Sequence, residues 1–348
     1  MISRLVRKAA LFAVAAGSFG IAAIAGFGDA NAQATVAAIK QRGQLVCGVD
    51  SGIPGFAYQD ATGKWIGFDV DYCRALSAAI FGDPEKVKYV GTTAKVRFTV
   101  LQSGEIDVLI RDSTLTFTRN TDLKLQGAAV NFYAGQGFMV KKSLNAKNVK
   151  DLNGATICMV TGATLELNIA DFNRANNVNI GSLLFERTEE AFAATESGRC
   201  DGYTDDTGSL AAARSTMKVP GDWDILAQVI SKEPLGIHTR QGDENWTNIC
   251  KWMHYALLNA EETGVTMANL DQMTKTSTDP FVRRLVGEEG DFGKLLGLDN
   301  KWAYNAIKVV GNYADIYDRH FGPKALGLPR GANEQWYKGG LQYGLPFR

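Results

Sequence analysis

Short apolar segments with the length of β-strands alternate along this chain with segments whose apolar residues recur at helical spacing. Predicted strands cover residues 45–49, 87–91, 106–110, 155–160, 183–186 and 200–204. Predicted helices cover residues 69–81, 95–103 and 189–197. When strands and helices alternate in this way, the strands form a parallel sheet and the helices cover its faces. The sequence therefore predicts a fold of the α/β class.

Two similar lobes are predicted because this pattern occurs twice in the chain. The segments SGEID at 103–107 and SGRCD at 197–201 both combine a helix end, a glycine and a strand that carries an aspartate. Two further strands, at 135–140 and 230–237, flank the second copy, and we interpret them as the two crossings of a hinge. Lobe 1 is expected to contain residues 33–137 and 236–348, and lobe 2 is expected to contain residues 138–235.

The first 32 residues have the organisation of a cleaved secretory signal peptide. Arg4, Arg7 and Lys8 precede an apolar run at 9–28, and ANA at 30–32 has the small residues of a cleavage site. Cleavage two residues later fits nearly as well, and a membrane anchor is the alternative interpretation. The remainder of the chain contains no other long apolar run. The mature protein is therefore expected to be soluble in the periplasm, and to be a monomer.

Charge and motif content argue against several classes of function. The full chain has 37 basic and 37 acidic residues, and removal of the leader leaves a net charge of −2 with no basic block, so a nucleic-acid partner is not expected. The chain has no G-x-S-x-G, H-E-x-x-H, Walker or complete G-x-G-x-x-G motif, and its three histidines are scattered. We therefore expect no enzyme, no metal site and no cofactor.

The five cysteines indicate two disulfides and one free thiol. Exported chains meet an oxidising compartment in which disulfides persist. Cys250 lies at helical spacing with apolar residues, which favours a buried free thiol. The other four cysteines allow three pairings. We favour Cys47–Cys73 and Cys158–Cys200, because this pairing places one bridge in each lobe.

Polar residues suited to a zwitterion follow the predicted strands, where open α/β sheets bind their ligands. Arg119 can hold a carboxylate with two parallel N–H donors, and the backbone N–H groups around Thr164 open a helix. Asp206 can accept hydrogen bonds from an ammonium group. Each feature alone also fits a helix cap or a solvated helix start. Their convergence at strand ends in both lobes favours a binding site.

Several motifs resemble those of the periplasmic solute-binding proteins of polar amino-acid ABC transporters, and in particular the general L-amino-acid-binding subgroup. They are GFDVD at 67–71, LQSGEIDV at 101–108, TLTFTR at 114–119, GQGFMV at 135–140, GRCD at 198–201 and KGGLQY at 338–343. The resemblance covers essentially the whole mature chain. It implies the type II periplasmic-binding-protein architecture, in which two lobes close on a ligand.

The resemblance also implies a partner and a set of ligand-binding residues. Proteins of this kind deliver L-amino acids to the membrane permease of an ABC transporter. By motif position, Arg119 would bind the ligand carboxylate and Asp206 the ammonium group. Thr114 and the carbonyl of Asp112 would add hydrogen bonds on the ammonium side, and Thr164 would support the carboxylate.

Two departures from the family pattern predict broad specificity for L-amino acids. Ile53 and Ala94 occupy positions where many relatives have aromatic or bulky residues that enclose the ligand side chain. The alternative is that Arg111, beside the site, selects acidic side chains. The alternative function is an enzyme on the same fold, a dehydratase of cyclic amino-acid precursors. Its candidate acid would be Glu166, which we expect to face its own helix start.

Overall fold

The computed structural model describes residues 34–348, so the predicted signal peptide at residues 1–32 lies outside the described part of the chain. Its strands are β1 (Leu45–Val49), β2 (Gly52–Ile53), β3 (Ala57–Gln59), β4 (Trp65–Ile66), β5 (Val87–Gly91), β6 (Val108–Thr114), β7 (Leu125–Ala134), β8 (Gln136–Lys141), β9 (Thr156–Val160), β10 (Gly181–Phe185), β11 (Gly202–Asp206), β12 (Trp223–Ile225) and β13 (Glu233–Arg240). Its helices are α1 (Ala34–Arg42), α2 (Phe68–Phe81), α3 (Arg97–Gln102), α4 (Phe117–Thr121), α5 (Leu165–Asn176), α6 (Thr188–Glu196), α7 (Thr207–Thr216), α8 (Glu244–Glu262), α9 (Leu270–Thr276), α10 (Pro280–Leu285), α11 (Phe292–Leu295), α12 (Trp302–Val310) and α13 (Tyr313–His320). The alternation of these elements confirms the predicted α/β class.

The first sheet has five strands in the order β5-β1-β6-β13-β7. β1 lies parallel to β5 and β6, whereas β13 runs antiparallel to β6 and β7. Because β13 runs in the opposite direction, it begins at the edge of the sheet where β1 and β6 end. The residues that follow β1, β5 and β6 therefore lie near the first residue of β13.

The second sheet has five strands in the order β10-β9-β11-β8-β12. β9 lies parallel to β10 and β11, and β8 runs antiparallel to β11 and β12. The chain passes from the first sheet to the second between β7 and β8, and it returns between β12 and β13. These crossings fall at the two segments that were predicted to form a hinge. The predicted boundaries of lobe 1 (33–137 and 236–348) and lobe 2 (138–235) stay a prediction.

Helices α2, α8 and α12 pack together behind the first sheet. Leu76, Leu257 and Ile307 are fully buried in the core that these helices share. Burial of such a side chain contributes roughly 1.5–3 kcal/mol, so this core holds the first sheet as a rigid base for the site. Within residues 34–348, no helix combines the length and the hydrophobicity that crossing a bilayer requires.

The structure forms both disulfides that the sequence favoured. Cys47 in β1 is bonded to Cys73 in α2 across a Cα–Cα distance of 6.2 Å. Cys158 in β9 is bonded to Cys200, just before β11, across 5.6 Å. Each bridge thus lies within the part of the chain that builds one sheet. Cys250 is a buried free cysteine in α8, and burial raises the pKa of its thiol well above the usual value.

Alkylation of the unreduced protein is expected to modify no thiol in the native state and one thiol after denaturation. Burial keeps Cys250 protonated and away from the reagent until the protein unfolds. Mass spectrometry of protein isolated from the periplasm measures both states, and a reduced, denatured sample provides the five-thiol control. Three or five modified thiols in the unreduced, denatured sample would contradict the pairing.

Candidate functional site

A narrow cleft between the two sheets brings together all eight residues that the sequence predicted for the ligand site. They are Ile53, Ala94, Arg111, Asp112, Thr114, Arg119, Thr164 and Asp206. Six residues that the sequence analysis did not select also line the cleft: Arg97, Val160, Ala163, Leu165, Thr188 and Asp205. The first lobe supplies one wall and the second lobe supplies the other.

Strand β6 carries the ligand-site residues of the first lobe further into the cleft than predicted. The strand continues to Thr114, whereas the apolar pattern ended at residue 110. Asp112 has a φ of 29°, a backbone conformation that is uncommon for residues other than glycine. Neighbours from both lobes hold this conformation: Ser209 Oγ donates a hydrogen bond to Asp112 Oδ2 at 3.1 Å, and the Asp112 N–H donates to Asp69 Oδ2 at 3.2 Å.

Three buried carboxylates lie close together in the cleft. Oxygens of Asp112, Asp205 and Asp206 lie within 4.8 Å of one another. Asp112 Oδ1 and Asp206 Oδ1 receive no hydrogen bond from any other group of the described chain, and a proton can be shared between the two carboxyl groups. Burial and repulsion from neighbouring carboxylates raise the pKa of Asp205 to about 7 and that of Asp206 well above its usual value. A cation bound beside these carboxylates would relieve both the burial of negative charge and the repulsion.

The affinity for a ligand that carries an ammonium group is expected to rise with pH between about pH 6 and pH 7.5. Without ligand, a pKa of about 7 keeps Asp205 partly protonated in this range, and burial and neighbouring carboxylates also favour the protonated form of Asp206 by raising its pKa. A bound ammonium group favours their ionised forms, so binding lowers these pKa values and releases protons, and a higher pH favours the complex.

Calorimetry at neutral pH in two buffers of different ionisation enthalpy measures this proton release directly. The Asp206→Asn variant should release fewer protons, whereas Asp171→Asn, at an exposed position on α5, should behave like the wild type. An affinity that falls as the pH rises through this range would contradict the assignment.

Arginine side chains also line the cleft. Arg119 is 8 % exposed, and its Nη1 donates to the carbonyl oxygen of Thr114 at 2.6 Å. Burial lowers its pKa to about 10, so the guanidinium stays charged at neutral pH. The guanidinium carbons of Arg119 and Arg97 lie 4.8 Å and 4.6 Å from the ring centroid of Phe98. The sequence analysis missed Arg97, although the segment after β5 reaches the same edge of the sheet as the segments that were considered.

Arg111 lines the cleft but already has partners inside the first lobe. It forms an ion pair with Asp50, and its Nε donates to the carbonyl oxygen of Thr92 at 3.1 Å. Both side chains of the ion pair are almost completely buried. Because an internal carboxylate neutralises Arg111, its predicted selection of acidic ligands loses its main physical support, and it stays an untested prediction.

Glu233, which the sequence analysis missed, joins the two lobes beside the cleft. Its carboxylate accepts hydrogen bonds from Thr114 Oγ1 at 2.5 Å, Thr164 Oγ1 at 3.0 Å, Asn168 Nδ2 at 2.7 Å and Ser231 Oγ at 2.6 Å. The Thr114 hydroxyl therefore offers only lone pairs to a ligand, which suits an ammonium group. The Thr164 hydroxyl also donates its proton to Glu233. A ligand carboxylate near Thr164 would therefore accept hydrogen bonds from the backbone N–H groups around this residue. Glu233 could have been predicted only if the antiparallel direction of β13 had been known, because that direction places the first residue of β13 at this edge of the sheet.

Glu166, the candidate acid of the alternative enzyme, lies outside the residues that line the cleft. Its side chain is exposed in the first turn of α5. Helix α5 has Thr164 at the N-cap and no side-chain cap hydrogen bond. Glu166 therefore lies at the start of its own helix, as expected, but its side chain does not cap that helix.

The sequence matches the model of the bacterial extracellular solute-binding proteins, family 3, over residues 45–323. It is 49 % identical over 334 residues to the general L-amino acid-binding periplasmic protein AapJ of Rhizobium johnstonii, and this alignment covers 95 % of this chain and 98 % of that protein. It is 48 % identical over 344 residues to the glutamate/glutamine/aspartate/asparagine-binding protein BztA of Rhodobacter capsulatus, with 99 % and 100 % coverage.

A solved structure has the same overall fold. It is a periplasmic binding protein of an ABC transporter from Brucella ovis, solved with glutathione bound. It is 50 % identical in sequence, and the superposition covers 90 % of this chain and 99 % of that one with a TM-score of 0.88. This similarity, together with the two sheets and their two crossings, confirms the predicted periplasmic-binding-protein fold of type II.

Proposed function

The chain belongs to the bacterial extracellular solute-binding proteins, family 3, and from this premise we propose that it is the periplasmic amino-acid-binding component of an ABC importer. The observation that carries this proposal is the distribution of charge in the cleft. Buried carboxylates of Asp112, Asp205 and Asp206, the buried guanidinium of Arg119 and several apolar side chains line the same cleft. A zwitterion has the complementary arrangement of charges.

In this proposal each charged group of the ligand has a named partner. Arg119 binds the α-carboxylate with help from the backbone N–H groups around Thr164, and Asp206 binds the α-ammonium group with help from Thr114 and Asp112. Groups of both lobes take part, so the ligand bridges residues 33–137 and 236–348 on one side and residues 138–235 on the other. The hinge would then close on the ligand, and the closed, ligand-bound form would be the form that delivers the amino acid to the membrane permease.

The side-chain pocket in this proposal accepts several L-amino acids. Ile53 and Ala94 line it without a fixed polar group of their own. An apolar wall separates ligands weakly, because one methylene changes the binding free energy by about 1–3 kcal/mol. The relative AapJ is named for general L-amino acid binding, and the relative BztA for four amino acids with acidic or amide side chains, so a range of ligands fits the family.

Calorimetric titration of the mature protein with the twenty L-amino acids tests this function. Several L-amino acids should bind saturably, and their D-isomers should not, because inversion at Cα moves one anchored group away from its partner. Chromatography of the ligand after long incubation tests the enzyme alternative, because a binding protein returns the ligand unchanged. Failure of every L-amino acid to bind would overturn the proposal, and turnover of the ligand would favour the enzyme.

Solution scattering on the same samples tests the hinge. The radius of gyration should decrease when a binding amino acid saturates the protein, because the two lobes approach each other on closure. A D-isomer at the same concentration provides the control. An unchanged radius at saturation would contradict closure between the lobes even if the ligand binds.

A further inference from the structure

Glu233 is a buried carboxylate whose hydrogen-bond donors come from both sheets. Only 2 % of the residue is exposed, and its backbone pairs with Ala134 in the first sheet. Thr114 Oγ1, from β6 of the same sheet, donates to Oε2 at 2.5 Å. Thr164 Oγ1 donates to the same oxygen at 3.0 Å, and Asn168 Nδ2 donates to Oε1 at 2.7 Å. The last two donors belong to the start of α5, which packs on β9 of the second sheet, so their hydrogen bonds cross between the lobes.

The two chain crossings hold Glu233 from the opposite side. Ser231 lies in the second crossing, and its Oγ donates to Glu233 Oε1 at 2.6 Å. The same Oγ accepts a hydrogen bond at 3.2 Å from the backbone N–H of Gln136, the first residue after the first crossing. The carboxylate is therefore fixed to both crossings and to the first sheet. Separation of the lobes would keep these contacts and would break the two hydrogen bonds to α5.

The hydrogen bonds between Glu233 and α5 do not involve a ligand. Every donor is a protein side chain, and Asn168 lies outside the residues that line the cleft. These contacts can therefore form before an amino acid enters, and they do not depend on the side chain of the amino acid. The net contribution of such a hydrogen bond is small, because water replaces the lost donor when the lobes separate. The contacts can thus favour closure and still allow the lobes to open.

We propose that Glu233 is a positioning residue that latches the closed form: it holds the start of α5 against the first sheet, with or without a ligand. This inference rests on the proposed function, in which the lobes close on an amino acid. It adds that closure has a contribution from the protein alone. The ligand-free protein then exchanges between open and closed forms, and the latch slows the release of every bound amino acid to the same extent.

Two half-buried asparagines of α5 provide a matched pair of variants. Asn168→Ala removes a hydrogen bond between the lobes, whereas Asn173→Ala removes one within the second lobe, from Asn173 Nδ2 to the carbonyl oxygen of Ile180 at 3.0 Å. Solution scattering of the ligand-free proteins should give a larger radius of gyration for Asn168→Ala than for the wild type and Asn173→Ala. Rapid-mixing kinetics should show about 2- to 10-fold faster dissociation from Asn168→Ala alone, by the same factor for L-glutamine and L-alanine.

A double-mutant cycle assigns the effect to Glu233. Asn168→Ala should change neither the radius nor the dissociation rate further when it is added to Glu233→Ala, because the acceptor is already gone. Equal ligand-free radii and equal dissociation rates in Asn168→Ala and Asn173→Ala would overturn the latch, even if Glu233→Ala did not fold. A change in dissociation that depends on the ligand side chain would also overturn it. If the wild type bound no amino acid, the proposed function would be rejected, and scattering of the ligand-free variants would still decide whether the latch exists.

Discussion

Arg119→Ala is expected to weaken the binding of L-amino acids by about 30-fold to several thousand-fold. Removal of one member of a buried, hydrogen-bonded charge pair costs roughly 2–5 kcal/mol, because the remaining charge stays buried without its partner. In the proposed complex that remaining charge is the α-carboxylate, which every amino acid carries. The loss should therefore be similar for all ligands.

Calorimetric titration of purified variants measures this effect. Arg119→Lys keeps the positive charge but loses the two parallel donors, so an intermediate affinity is expected. Arg174→Ala, which removes an exposed arginine that pairs with exposed Asp171, is the matched control and should bind like the wild type. Asp206→Ala should weaken all amino acids in the same way through the ammonium group. Affinities of Arg119→Ala and Asp206→Ala within a few-fold of the wild type would show that the anchors are misassigned.

Gly162→Ala is expected to weaken binding by about 5- to 150-fold because it obstructs the closed form. A Cβ atom at Gly162 would lie 2.9 Å from Lys95 Cα and 3.1 Å from Lys95 N, on the opposite lobe. Those atoms belong to the backbone and cannot rotate away. Overpacking of this kind costs typically 1–3 kcal/mol, and separation of the lobes relieves it, so the variant should favour the open form.

Gly154→Ala provides a matched control for this prediction. Gly154 and Gly162 both belong to the second lobe and have φ values of 86° and 81°, so alanine strains the backbone similarly at both positions. A Cβ atom at Gly154 meets nothing within 4 Å. Both variants should therefore melt at similar, lowered temperatures, while only Gly162→Ala loses affinity and ligand-induced compaction in solution scattering. Equal affinities in the two variants would contradict the contact between the lobes.

The amino-acid sequence by itself determined the features that depend on local pattern. The period of the apolar residues located β1 and β5 at their observed bounds, and the alternation of elements determined the α/β class. The rule that ligands bind at strand ends selected Arg119, Thr164 and Asp206, the family resemblance led to the other five residues, and all eight line one cleft. The predictions of strands and of fold class succeeded because hydrophobic periodicity is encoded within short stretches of chain.

Only the tertiary structure decided how the charged groups pair with one another. Asp50 and Arg111 are far apart in sequence, and nothing local indicates that they neutralise each other across β1 and β6. The same holds for Glu233, whose partners come from both lobes, and for Arg97, whose isolation from carboxylates is visible only when its surroundings are known. The physical reason is that an ion pair forms wherever folding brings two groups within a few ångströms, whatever their separation along the chain, and burial then decides whether an unpaired charge needs a ligand.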